Sequence, residues 1–309
     1  MVRRGKPAQD PLDALAPLVD EQTVWILGPP RAGTTWLVAL LGAITGGVRV
    51  DEPLVGAHLA ATVDAIYGGF DPDAGLLVDT SADRADYVFA RQSEHVWLPA
   101  VRLLVERHFA NAVVTKGRAA DFAGKPLIVK EPNGSRAAPI LVRALPRSRL
   151  LFLLRDGRDV VDSVLDGTAG GWIEASAGVS SRDAEARRAL LRAHAVRWVR
   201  TLEAVQEAFD RHDPARRMLL TYESLRANTV EEVAAIVRWM GSDASRDTVE
   251  DLVARLAFEA LPADSKGAGK FVRAATPGLW RERFAADEVE ELEAIMGPML
   301  RRYGYEVGG

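Results

Sequence analysis

Four short apolar runs, each closed by a turn and followed by a helical pattern, constrain this chain most. Thr23-Val-Trp-Ile-Leu27 runs into Gly28-Pro-Pro-Arg-Ala-Gly33 and then a helical stretch from Thr34 to about Ile44. Leu127-Ile-Val-Lys130 precedes a helix from Ser135, and Arg149-Leu-Leu-Phe-Leu-Leu154 a helix from Arg158. Met218-Leu-Leu-Thr-Tyr222 precedes a helix from about Thr229 to Met240. Compact apolar runs without alternation are the pattern of strands buried on both faces. Parallel neighbours need crossover connections, which the helices supply. The order predicts an α/β fold, a parallel sheet flanked by helices on both faces.

Longer amphipathic helices are expected at about 185 to 209, 245 to 256 and 286 to 303. Residues 1 to 21 carry only a weak pattern, Leu12, Leu15 and Leu18 between prolines, and read as a loose lead-in with a short helix. The 309 residues admit two domains or one large one. No Pro/Ser-rich linker divides them, so one domain over 1–309 is expected. The glycine-rich stretch Asp166 to Ser181 reads as a mobile loop.

Composition removes whole classes of chemistry. No cysteine is present, so thiolate nucleophiles, disulfides and thiolate metal sites are excluded. The five histidines lack metal-ligand spacing, and no metal is expected. A net charge of −4 argues against a nucleic-acid partner. The longest uncharged stretch, Ala32 to Val48, is interrupted by Thr and Gly and makes a poor membrane span. Arg3, Arg4 and Lys6 are followed by acids rather than by the apolar core of a signal peptide, which points to a cytoplasmic protein. A local anion site stays open, because 39 Lys plus Arg can gather in one place.

The first strand-loop-helix is where such a site is expected. Gly28, four residues, Gly33 and then hydroxyl residues have the spacing of a phosphate loop, whose glycine permits a tight turn and whose amides open the next helix toward an anion. The position usually held by Lys is Thr34, which counts against ATP or GTP hydrolysis, and Arg31 offers another cation. A bare strand-helix turn is the alternative. Arg155 at a strand end and Ser163 on the following helix can share one phosphate, the Arg through its planar fork. A solvated charge cluster at a helix start is the alternative there.

Gly28-Pro-Pro-Arg-Ala-Gly-Thr-Thr-Trp36 resembles the 5′-phosphosulfate loop of sulfotransferases that use 3′-phosphoadenosine 5′-phosphosulfate (PAPS). The resemblance runs over roughly residues 23 to 300 and implies a P-loop-like fold with helical insertions. It implies that Arg31 reaches the phosphosulfate, that Ala32, Gly33, Thr34 and Thr35 line it, and that Trp36 packs on the adenine. Arg155 and Ser163 match the 3′-phosphate motif. Arg273-Ala-Ala-Thr-Pro-Gly278-Leu-Trp280 is similar to the C-terminal motif, which gives Arg273 and Gly278 a place on the nucleotide, although Ala274-Ala275 stands where Lys-Gly is usual. Tyr222 falls where the family has a tyrosine near the adenine; a strand-end core aromatic is the alternative.

Sulfuryl transfer needs a base for the acceptor and cations for the charge that builds up. In the soluble aryl and steroid branch the base is a His, but here Lys130-Glu131-Pro132 puts Pro132 at that position. Asp51-Glu52-Pro53-Leu54 resembles the Glu-Pro-Leu segment of the carbohydrate branch and the equivalent Glu of the tyrosylprotein branch. Glu52 is therefore the expected general base, Lys130 and Arg31 stabilise charge, and Glu131 and His58 are rival bases. Asn133-Gly134-Ser135 reads as a turn and helix cap, or as a polar contact to a substrate. The resemblance implies a PAPS-dependent enzyme releasing 3′-phosphoadenosine 5′-phosphate (PAP), with a small-molecule, lipid or carbohydrate acceptor. A helix at 82 to 109 with Trp97, and the glycine-rich loop with Trp172, are expected to shape the acceptor pocket. A P-loop kinase and a non-catalytic nucleotide-binding protein are the other readings.

Overall fold

Every strand of the sheet runs the same way, and alternate residues of its three central strands feed separate cores. The computed structural model describes residues 10–60, 88–169, 184–257, 260 and 276–308. The strands are β1 (Thr23–Leu27), β2 (Val48–Asp51), β3 (Leu127–Lys130), β4 (Arg149–Leu154) and β5 (Arg217–Thr221). They pair in the order β2-β3-β1-β4-β5, all parallel. The main helices are α1 (Pro11–Gln22), α2 (Thr34–Thr45), α3 (Glu94–Thr115), α4 (Ala138–Ala144), α5 (Gly157–Ala169) and α6 (Ala184–Arg211). After β5 come α7 (Tyr222–Ala227), α8 (Thr229–Trp239), α9 (Arg246–Arg255), α10 (Trp280–Arg283) and α11 (Ala286–Arg302).

Trp25, Leu27, Val129, Phe152 and Leu154 point to one face of the sheet, where α1, α3, α4, α6 and α11 cover them. Val24, Ile26, Ile128, Leu151 and Leu153 point to the other, under α2, α8 and α9. Both faces of β1, β3 and β4 are therefore apolar, which is why their sequences read as unbroken runs. The α/β reading with helices on both faces holds. Four strands were expected, and the described residues form five. The extra one, β2, lies at the sheet edge, and its Val-Arg-Val-Asp alternates between buried and more exposed positions. That short alternating pattern after α2 was the available signal.

Three other expectations shift. The helix expected at 82 to 109 runs over Glu94–Thr115 among the described residues. Trp97 packs in the core with its Nε1 donating to the Ala90 carbonyl at 3.1 Å. Asp166 to Ala169, expected to open a glycine-rich loop, continue α5; Trp172 and the rest of that loop lie outside the described residues.

The expected loose lead-in is better anchored than its weak pattern suggested. Asp10 caps α1 by accepting from the Leu12 amide, and Pro11 occupies the first turn, where its missing N–H costs nothing. Asp20 at the other end is 1% exposed. Its carboxylate accepts from Arg102 on α3 at 2.9 Å and from the Arg147 amide at 2.8 Å, tying α1 to two elements. Among the described residues, no helix is long and apolar enough to cross a membrane. Asp20→Ala should lower stability by about 2 kcal/mol, the scale of lost hydrogen bonds to a charged group, and urea unfolding of the two chains checks it.

Candidate functional site

Parallel pairing brings all five strands to their C-terminal ends on one edge, with β1 between β3 and β4 where the connections diverge in opposite directions. Ligands of open α/β sheets sit at such a point. Five turns meet there, and the expected site residues occupy them: 28–33 after β1, Glu52 after β2, Lys130 ending β3, Arg155 after β4 and Tyr222 after β5.

The first turn is shaped by contacts that leave no room for a side chain. Gly28 has φ +150, and a Cβ there would stand 2.0 Å from the Leu153 carbonyl oxygen. Its amide donates to Ser135 Oγ at 2.9 Å, and that hydroxyl donates to the Glu131 carbonyl at 3.0 Å. Ser135, expected as a helix cap, thus fastens the loop to the end of β3. Arg31 holds φ +68, a left-handed conformation costly for a residue with a Cβ. Gly33, at φ +85, opens α2 without any side-chain cap, so the first amides of the helix are left for another partner. Thr34 is buried, Thr35 is exposed beside it, and the Ala32 side chain is enclosed in the core, which leaves Ala32 only its backbone to offer.

Two clusters flank this loop. On one side, Lys130 is 4% exposed, and its Nζ donates to Thr35 Oγ1 at 3.1 Å and to Glu52 Oε1 at 2.8 Å. The other Glu52 oxygen accepts from Asn133 Nδ2 at 2.7 Å, and Asn133 Oδ1 accepts from Arg197 Nη2 at 3.1 Å. The Glu52 amide donates to the Lys130 carbonyl at 2.8 Å, extending the sheet pairing one step beyond β2. A buried ammonium requires such partners. Of the rival bases, Glu131 is fully buried and burial pushes its pKa up to about 7, whereas His58 is exposed on the helical stretch 55–60.

On the other side, Arg155 Nη1 donates to the Arg31 carbonyl at 2.8 Å, and Arg31 Nε donates to Ser163 Oγ at 3.0 Å. Arg31 therefore stands with Arg155 and Ser163 rather than with Lys130. The Arg155 guanidinium lies 4.5 Å above the Tyr222 ring, and Tyr222 is packed against Gly33 so closely that a Cβ there would meet the ring at 2.7 Å. Tyr222 opens α7 instead of ending the strand, and its burial holds the phenol above its usual pKa. Arg155 is 7% exposed, yet its Nε has no hydrogen-bond partner. An unsatisfied buried donor beside an uncapped helix start fits an anionic group.

The remaining expected residues scatter. Trp36 donates from Nε1 to the Leu256 carbonyl at 2.8 Å, with Arg226 5.4 Å from its ring centroid, so it ties α2 to the end of α9. The Gly278 amide donates to Asp159 Oδ2 at 2.6 Å, which docks its segment next to Arg155 but commits the amide internally. Arg273 lies outside the described residues. Sequence reasoning missed Asp159, whose second oxygen accepts from the Trp280 amide at 3.3 Å and whose burial raises its pKa, with the Arg155 charge opposing. It also missed Arg197, one cation on a long amphipathic helix that nothing in the sequence marks out.

The profile of the Sulfotransferase family matches residues 23–246. That is shorter than the reach to about residue 300 expected from the motifs and leaves the Gly278 segment beyond the match. No curated protein matches the sequence. Among solved structures, the chain is similar to mouse sulfotransferase SULT7A1 complexed with PAP, at TM-score 0.54 and 13% identity over 96% of this chain and 94% of that one. A retinol dehydratase in a complex with retinol and PAP gives TM-score 0.50 and 15% identity over 97% and 88% of the two chains. Sulfotransferase STF9 from Mycobacterium avium gives 0.50 and 16% over 94% and 78%. At such identities the likeness is one of fold. The loop itself makes a test that needs no ligand: Gly28→Ala drives a Cβ into backbone and should cost about 3 kcal/mol or more, read as a fall in soluble yield and thermal midpoint.

Proposed function

The chain belongs to the sulfotransferase family, and from that premise we propose that it moves the sulfuryl group of PAPS to a hydroxyl or amine of a small-molecule, lipid or carbohydrate acceptor. The observation that supports this reading most is the pair of clusters on either side of the uncapped α2 terminus. Arg155 donates to the Arg31 carbonyl and Arg31 to Ser163 Oγ, with one buried Arg155 N–H unspent, and the Lys130 ammonium donates to the Glu52 carboxylate and the Thr35 hydroxyl.

Arg155 and Ser163 hold the 3′-phosphate, with Arg273 as a third contact, and Arg31, Gly33, Thr34 and Thr35 receive the 5′ end. Tyr222 and Trp36 border the adenine, and Gly278 contributes by placing its segment against Asp159. When bound, PAPS supplies a sulfuryl group on a phosphate, a weakly basic leaving group. Glu52 would take the proton from the acceptor hydroxyl or amine as that atom attacks, and the sulfuryl group would pass to it from the phosphate oxygen of bound PAPS, which keeps the bonding electron pair in PAP. Lys130, with Arg31, stabilises the charge that accumulates. The ammonium of Lys130 has three donors and spends two on Thr35 and Glu52. An incoming anion competes for it, and Glu52, still oriented by Asn133, is then released to act as base.

Glu52→Gln should lower transfer by about 10²-fold or more while PAP binding stays nearly unchanged. Labelled PAPS with a panel of phenols, alcohols, sugars and amines measures the first, and calorimetry with PAP the second. Near-normal turnover in the variant would remove Glu52 from the role. Arg155→Ala should weaken PAP binding by about 100-fold, the worth of charge-assisted hydrogen bonds to a phosphate. A wild-type chain that prefers ATP with magnesium over PAP in the same calorimeter would favour phosphoryl transfer, and PAP binding without transfer to any acceptor would favour a binding protein.

A further inference from the structure

Glu131 is a buried acid that the reaction above does not use. It is fully buried, and neither of its carboxyl oxygens closes a hydrogen bond of normal geometry. An enclosed carboxyl is costly, so its immediate surroundings matter. Burial raises its pKa most; the backbone amides of Leu54 and Ala57 face it and favour the charged form, while the charge of Glu52 disfavours that form and Lys130 favours it. Gly134 lies so near that a Cβ there would stand 2.4 Å from Glu131 Oε1 and 2.6 Å from the Ala57 nitrogen. A Cβ on Gly56 would meet the Gly134 carbonyl oxygen at 2.4 Å. Two glycines therefore let the turn after β3 and the turn after β2 close on each other, with the Glu131 carboxyl between them.

The turn after β2 needs such support. Glu52 has φ +50 and Leu54 φ +60, left-handed conformations that residues with a Cβ keep only when their surroundings over-determine them. The helical stretch 55–60 starts directly after Leu54, a residue with no oxygen to offer its first amides. Two amides at the start of that stretch, Leu54 and Ala57, are those that the Glu131 carboxyl faces. In a capping box the same two amides, of the cap residue and of the third helical residue, are satisfied by side chains of the helix itself.

We infer that Glu131 is a positioning residue: reaching from the end of β3, it caps the helical stretch 55–60 from outside and holds the left-handed turn that aims Glu52 at Lys130 and Asn133. This rests on the reading of Glu52 as the base. Glu131 touches neither acceptor nor nucleotide. Because burial outweighs the amides and holds the carboxyl in its neutral form, raising the pH through about 7 puts a charge into the enclosure, so the turn is tightest below that pH and loosens above it. The charged groups facing it are Glu52, in the turn after β2, and Lys130, ending β3, and neither replaces it at the amides.

Hydrogen–deuterium exchange on the whole chain tests the inference, with wild type, Glu131→Gln and Glu131→Leu each followed at pH 6 and pH 8 after correction for intrinsic rates. Peptides spanning 52 to 58 should exchange about 10-fold faster in Glu131→Leu, with Glu131→Gln between it and wild type. The pH dependence of that protection should be present only in wild type, and calorimetry should find PAP affinity within about two-fold of wild type in both variants. Unchanged exchange over 52 to 58 in Glu131→Leu, or protection lost equally from β1 and β4, overturns the inference. Glu52→Gln, assayed beside them with labelled PAPS, separates the two claims. If it keeps turnover, the base assignment fails whatever the exchange shows; if it loses turnover while Glu131→Leu exchanges like wild type, only the positioning role fails.

Discussion

Parallel pairing forces every strand of this sheet to finish on the same edge, and the rest of the molecule follows from that constraint. Because β1 sits between β3 and β4, the turns after these three strands converge, and β2 brings its own turn back beside β3. Lys130 pairs in register with Ile26 and Asp51, so the next residue after β2 falls beside it. The contact between Lys130 and Glu52, 78 positions apart in the chain, is thus a consequence of register. Shifting β2 by one residue would turn Glu52 to the opposite face.

The edge collects charge that the rest of the fold would not tolerate. Lys130, Arg155, Asp156, Arg158 and Asp159 are all buried there, and each is held by a partner that removes part of the penalty of leaving water. Arg158 lies 3.9 Å over the Trp280 ring and is paired with Asp156 and Glu293, which binds the start of α5 to α11. Glu223 accepts from the Asp156 amide at 3.0 Å and from the Tyr305 hydroxyl at 2.9 Å, so the chain's last described residues also brace the turn after β4. Burial raises the pKa of Glu223 and of Tyr305, as expected where polar groups are enclosed by packing. Such a scaffold leaves little freedom to the arginine that carries an unspent donor.

Backbone strain is concentrated on the same edge. Among the described residues, the non-glycine positions with positive φ are Arg31, Glu52 and Leu54. All three lie in turns that carry the proposed chemistry, and two are locked by contacts from elsewhere: Arg155 on the Arg31 carbonyl, Lys130 and Asn133 on Glu52. Strain of this kind persists where tertiary contacts outweigh local preference.

Much of this was legible in one dimension. The unbroken apolar runs declared buried parallel strands, and the glycine spacing declared a tight turn between β1 and α2, because both signals are local and follow from backbone geometry. The edge strand β2 was not seen, since four alternating residues carry little signal, and α1 was underrated because its anchor, Asp20, acts through Arg102 and Arg147 far along the chain. By itself, then, the sequence determined the fold class, the loop and most of the residue types that could meet an anion. Only the tertiary structure decided which of them meet: that Arg31 turns toward Ser163 and Arg155, that Lys130 pairs with Glu52, and that Glu131 lies beneath the turn. Those pairings join residues tens of positions apart, and their partners are set by sheet register and by desolvation of charge, which no local pattern records.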